Sequence, residues 1–232
     1  MIFNETVKSD SNPVARTEKF MFDGERLIQH ILKQRYFEEE ISNEVNLSYS
    51  DNQVTVTTDY LTLVYTLNSE GYASQCVYSL SSQNRIYQFS YSAEGYLTGI
   101  VENIDDTEYS STSLTYENGD ITSISSKMNG LENKFIYEPG EESSTYHLPC
   151  LGLLEIHPLT FHIEALYAGL LGKDPRHFTM HSCPAGSNDE KTVYSYGFDK
   201  KGNPSRMICQ TTYAGGQASY YPYTRNISIS FE

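Results

Sequence analysis

The chain has 232 residues, with 30 acidic and 16 basic side chains, a formal charge of −14 and an isoelectric point near 4.8. That balance excludes nucleic acid as a partner, because gripping a phosphate backbone requires clustered Lys and Arg that release counterions. No run of about 18 apolar residues occurs, so no helix spans a membrane, while twenty Tyr, ten Phe and no Trp suit half-buried strands whose phenol ends reach water.

The first residues lack a basic region followed by an apolar one, and a chain that begins after a cleaved signal reads the same way. The polar stretch from Asn4 to Arg16 suits a tether between a lipid anchor and a domain. Residues 1–17 are therefore expected to be a tether or irregular segment, and residues 18–232 a single domain. From there a unit recurs: an aromatic-x-aromatic strand end, a polar turn closed by Gly, then an aliphatic strand. It appears at Phe20-Met-Phe22-Asp-Gly24, Val64-Tyr65-Thr-Leu67-Asn-Ser-Glu-Gly71, Phe89-Ser-Tyr91-Ser-Ala-Glu-Gly95, Leu114-Thr-Tyr116-Glu-Asn-Gly119 and Tyr196-Gly-Phe198-Asp-Lys-Lys-Gly202. Each copy predicts a β-hairpin, since flanking alternation gives every strand one dry face.

Asn46-Leu-Ser-Tyr49-Ser-Asp-Asn52 reads as a variant with Asn at the turn, and Phe135-Ile-Tyr137-Glu-Pro-Gly140 as another with a different turn. Between the first two hairpins, Ile31, Leu32, Tyr36 and Ile41 fit either a long strand or a short helix. Val45, Leu47 and Tyr49 alternate with Asn46, Ser48 and Ser50, and Gly71, Gly95 and Gly119 stand 24 residues apart. This spacing holds two strands and two connections, so it predicts an antiparallel meander. A long meander must hide its edges, and closure into a barrel does so while wrapping the apolar face around a core.

One apolar helix is expected inside, from Pro158 to Leu171. Pro opens it, Gly172 and Pro175 close it, and apolar residues cover most of its circumference. The loop from Phe178 to Lys191, with Pro184, Gly186 and Asn188, reads as irregular.

The hairpins at Gly71, Gly95, Gly119 and Gly202, and more specifically Ala165-Leu-Tyr-Ala-Gly-Leu-Leu-Gly-Lys173 followed by Pro175-Arg-His-Phe178, resemble the domain of unknown function 4595 family of Bacteroides cell-envelope proteins. The resemblance covers residues 18–232. It implies a porin-like, many-stranded barrel, export behind a lipoprotein signal, and a periplasmic or outer-membrane surface location. It brings no catalytic or binding residues. A membrane barrel alternates in the same way with its apolar side toward lipid, but an apolar internal helix and a chain end at Phe231-Glu232 favour a soluble barrel with the apolar face inward.

Candidate chemistry is sparse. Five of six His fall between residues 147 and 181. His147, His177, His181 and Cys183 offer imidazole and thiolate ligands of the kind zinc takes, and define a metal-dependent hydrolase as the alternative reading. No HExxH, paired CxxC or G-x-S-x-G element accompanies them, and ordinary loop and helix-end roles are the simpler expectation. Four Cys (Cys76, Cys150, Cys183, Cys209) allow three disulfide pairings or serve as buried thiols. Tyr220-Tyr-Pro-Tyr223, preceded by Tyr213, is the densest aromatic patch, so Tyr213, Tyr220, Tyr221 and Tyr223 are the candidate ligand-binding residues.

The resulting expectation is a non-enzymatic, exported, lipid-tethered binding or structural module without a cofactor. Its partner would be a glycan, a peptide or an envelope protein, and it would meet the membrane only through an anchor absent from this chain. A further alternative is a small-barrel carrier of an apolar ligand, which requires an open cavity.

Overall fold

A computed structural model describes the chain except for residues 9–13, 37–38, 81–82, 144–152, 154–155, 187–189, 214–222 and 232. Sixteen antiparallel strands close into one barrel in which every strand pairs with its sequence neighbours and the first pairs with the last. They are β1 (Ile2–Lys8), β2 (Val14–Asp23), β3 (Arg26–Tyr36), β4 (Glu39–Tyr49), β5 (Gln53–Thr57), β6 (Thr62–Leu67), β7 (Ala73–Leu80) and β8 (Gln83–Tyr91). The second half comprises β9 (Leu97–Ile104), β10 (Thr107–Glu117), β11 (Asp120–Met128), β12 (Leu131–Ser143), β13 (His177–Pro184), β14 (Glu190–Phe198), β15 (Pro204–Tyr213) and β16 (Tyr223–Ser230).

The meander and its closure follow the 24-residue period. Because each period holds two strands, the turns at Gly24, Gly71, Gly95, Gly119 and Gly202 all lie at one end, the glycine rim. The β4–β5 turn lies at that end too, and the β12–β13 connection begins and ends there; the remaining connections form the far rim.

Alternation sorts the side chains. Val45, Leu47, Val54, Val56, Leu63, Tyr65, Phe89 and Ile100 point inward and are buried. Asn46, Ser48, Gln53, Thr57, Gln88, Ser90, Ser113 and Thr115 point outward and are exposed. This polarity is the reverse of a barrel whose outer band meets lipid. Outward polar side chains bond across strands, as Gln29 Nε2 does to Glu44 Oε1 at 2.7 Å and Ser125 Oγ to Glu132 Oε1 at 2.6 Å.

The described residues between β12 and β13 fold into the barrel as a plug, where Leu153, Leu159, His162, Ala165, Tyr167, Leu170 and Leu171 are buried. Here the expected helix over 158–171 is corrected. Only Leu159–Phe161 forms a 3-10 turn and Ile163–Tyr167 a single α-helical turn, α1, with Gly169 and Gly172 at positive φ beyond it. Apolar residues all around the circumference report burial on several sides, which a bent, broken chain satisfies as well as a regular helix does.

Three other expectations change. The described residues among 1–17 are not an irregular tether, because β1 and the start of β2 lie there and β1 closes the barrel against β16. Its inward position is occupied by Glu5, which is buried and paired with Arg225, so the strand shows no apolar alternation there. The stretch 178–191 is mostly β13 and the start of β14 rather than loop. Gly140 sits within β12 at a register shift against β13, not in a turn, and a Cβ there would lie 2.6 Å from the Met180 side chain. Residues 28–44 resolve as strands β3 and β4.

Candidate functional site

The plug is joined to the wall through its imidazoles and one carboxylate. His157 Nε2 lies 2.5 Å from Glu102 Oε2, which also accepts from Ser110 Oγ at 2.7 Å, while the Arg85 guanidinium lies 3.2 Å from Glu102 Oε1. Glu102 is 0% exposed. Burial alone would push its carboxyl up, but hydrogen bonds from His157 and Ser110 and the nearby positive charge hold it below its ordinary value. The His157 carbonyl accepts from Thr112 Oγ1 at 3.0 Å and Ser126 Oγ at 3.2 Å, which fixes the backbone at the same point.

Further down, His162 Nδ1 is 2.8 Å from Tyr65 Oη, and complete burial pushes the imidazole down to about 3, so it is neutral. At α1 the roles invert. Glu164 of the plug lies 2.8 Å from Nδ1 of the wall residue His30, whose Nε2 is 3.0 Å from Glu18 Oε2. Burial disfavours the charge on His30, yet these two carboxylates outweigh it and raise the imidazole to about 9. The ring stacks on Phe20 at 4.2 Å, and Phe20 packs on Tyr167 of the plug at 4.0 Å.

The predicted metal set does not converge. His177 donates its backbone N–H to Asp120 Oδ1 and places Nδ1 2.8 Å from Asp120 Oδ2. His181 pairs instead with Glu138 at 3.0 Å and shares a cleft of about 220 Å³ with Cys183 between β12, β13 and β14. His147 and Cys150 lie outside the described residues. Among the described residues no group of three or more His, Cys, Asp or Glu is placed to hold a metal ion. Cys76 and Cys183 carry free thiols, and burial pushes the Cys76 thiol up to about 12. Of the tyrosine patch, Tyr213 ends β15 and Tyr223 begins β16 at the far rim, and Tyr220 and Tyr221 lie outside the described residues.

The site that sequence reading missed is on the glycine rim. On leaving the barrel the plug crosses three successive hairpins. Ala73 N donates to Leu170 O at 2.7 Å, Lys173 N to Gly95 O at 2.9 Å, and Arg176 N to Gly119 O at 3.0 Å. Three residues of extended chain rise about 10 Å, close to the width of two strands at about 4.8 Å each, so a step of three matches one hairpin. Gly172 is needed for this course: its φ is +89° and a Cβ would meet Gly95 O at 2.6 Å.

The crossing sets Lys173 and Arg176, both exposed, beside Tyr96 and Tyr116, whose rings stack at 4.9 Å. Together with Thr115 and Asn118 they line an open groove of about 730 Å³. No described carboxylate lies within ion-pair distance of either cation; Glu94 on the adjacent turn acts on Lys173 only at longer range. The available signal was the 24-residue glycine period together with a Lys and an Arg three apart, which becomes legible only once the strap is known to cross the turns.

The model of a family described as a domain of unknown function (DUF4595) with porin-like fold matches residues 21–206. The structure is similar to that of a porin-like protein from Bacteroides uniformis ATCC 8492, with a TM-score of 0.89 and 28% identity over 100% of this chain and 95% of that one. A porin-like protein from Bacteroides vulgatus ATCC 8482 has a TM-score of 0.60 and 12% identity, over 99% of this chain and 97% of that one, a likeness of fold alone. No curated protein matches the sequence.

Proposed function

The chain belongs to the DUF4595 family with porin-like fold, and from that premise we propose that it is a non-enzymatic, water-facing binding module exported to the cell envelope, which presents a ligand groove on its glycine rim. One observation carries this reading: Lys173 and Arg176 stand exposed over the groove with no described carboxylate to neutralise them, in a chain whose formal charge is −14. The polar outer face weighs against insertion into lipid, so attachment on this reading does not run through the barrel wall. The plug side chains packed through the barrel weigh against conduction and against an apolar cargo. Dispersal of the imidazoles onto separate wall partners weighs against a metal-dependent hydrolase.

Competitive acetylation tests the reading. The intact chain is labelled at its lysines in the presence of envelope polysaccharides and peptides, with Lys200 and Lys201 elsewhere on the same rim as internal controls. Selective protection of Lys173 by at least one class is expected. Uniform labelling with every class, or a steady conductance when the protein is added to a planar bilayer, overturns it.

A further inference from the structure

Resting on the binding reading above, we infer that the rim groove recognises an acidic sugar chain, one whose units carry carboxylates. The cations set the charge of the ligand. Lys173 and Arg176 are held by their backbone N–H groups to Gly95 O and Gly119 O, carbonyls two strands apart. Their side chains therefore spring from points separated by roughly 10 Å. That spacing suits two anionic groups along one extended molecule better than a single small anion. Glu94 is the acidic residue lining the groove, so the local charge is positive on an otherwise acidic surface. Arginine further favours carboxylate, which its planar fork can bind through two parallel hydrogen bonds.

The lining between the cations sets the rest of the ligand. The stacked rings of Tyr96 and Tyr116 flank the amide of Asn118 and the hydroxyl of Thr115. A sugar ring offers the matching surface, with C–H groups for an aromatic wall and hydroxyls that both donate and accept. An acidic peptide is the competing occupant. Extended peptides commonly bind by adding a strand to a free sheet edge, and the strands whose turns carry the groove, β8 to β11, are each paired on both sides.

Isothermal titration of the intact chain tests this with oligogalacturonate, hyaluronan and alginate oligomers as probes. Methyl-esterified oligogalacturonate serves as the neutral counterpart and poly-glutamate as the peptide. The expected result is binding of at least one acidic oligomer, weakened about tenfold or more by added salt and by K173M/R176M, with K200M/K201M unchanged. For oligogalacturonate, esterification should abolish or similarly weaken binding. Equal affinity for esterified and free oligogalacturonate, tighter binding of poly-glutamate, or no binding by any acidic oligomer overturns the acidic-sugar assignment. In each of these cases protection of Lys173 by another class leaves the binding module standing, whereas uniform labelling removes both.

Discussion

The barrel's interior seam and its glycine rim use the same kinds of side chain under opposite conditions. In the seam, His157 and His162 of the plug and the wall residue His30 each meet a carboxylate or a phenol across the plug–wall boundary. At the rim, a few residues further along the same segment, Lys173 and Arg176 meet water. A charge taken out of water must be paired or it destabilises the fold, whereas an exposed charge contributes little whether paired or not. Each of the seam's three imidazoles thus has a partner within the fold, although Nε2 of His162 is buried without one. The rim's cations have no described carboxylate within ion-pair distance, and the contrast between the two regions is what separates anchoring residues from candidate ligand contacts.

The contrast is broken most severely at Glu102. Replacing it with Ala leaves the Arg85 and His157 side chains in the seam without their buried carboxylate. Removing one partner of a buried ion pair typically costs about 3–5 kcal/mol. Glu102→Ala should lower the unfolding free energy read from urea titration by that amount, and a loss below about 1 kcal/mol would mean that water reaches this seam and the plug is not anchored there.

His30→Gln probes the lower junction and adds a pH signature. The folded imidazole is raised to about 9 from an ordinary value of 6.5, a shift worth about 3 kcal/mol. Because the fold favours the protonated form, this stabilisation is fully present below about pH 6.5 and is lost as the pH rises through 9. The stability difference between the parent and His30→Gln should therefore shrink steadily across that window. A difference that stays constant would show that His30 is neutral between Glu18 and Glu164.

Where the strap crosses the rim, two glycines sharpen the comparison. Gly172 has φ +89° and a Cβ would meet the Gly95 carbonyl at 2.6 Å, whereas Gly71 has φ +85° with nothing within 4 Å. Gly71→Ala should carry only the left-handed backbone penalty, about 1–2 kcal/mol. Gly172→Ala should exceed it by about 1 kcal/mol or more, because rigid backbone has to move. Equal losses in parallel thermal unfolding curves would show that the strap is free to lift from its hairpin.

Much of the wall was legible in the sequence and little of the plug chemistry was. Strict alternation and the period at Gly71, Gly95 and Gly119 are local signals, and they report strands and turns directly. The plug's burial was also legible, since apolar residues surround the whole 158–171 stretch, but its broken backbone was not, because burial on all sides does not require a helix. Glu5 and Glu102 face inward and break the pattern that marks β1 and β9 as half-apolar. Their partners, Arg225 and His157, are 220 and 55 residues away, so no spacing rule reaches them. The alternative metal set of His147, His177, His181 and Cys183 rested on closeness in sequence, yet among its described members His177 faces Asp120 of β11 and His181 faces Glu138 of β12.

The smallest expected effect is the one that decides what the rim is for. If Lys173 and Arg176 helped hold the strap, K173M/R176M would destabilise the protein; but the strap is held by their backbone N–H groups, which the substitution leaves in place. Exposed side chains without close partners usually change stability by less than about 0.5 kcal/mol. Removing two cations does deepen an already negative net charge, so a slight loss from self-repulsion should appear at low ionic strength and vanish as salt is added. Denaturation curves that superimpose at moderate salt would leave ligand contact as the role of these two charges. A loss of 1 kcal/mol or more that persists in high salt would make them structural instead, held by contacts within the fold as the seam's imidazoles are.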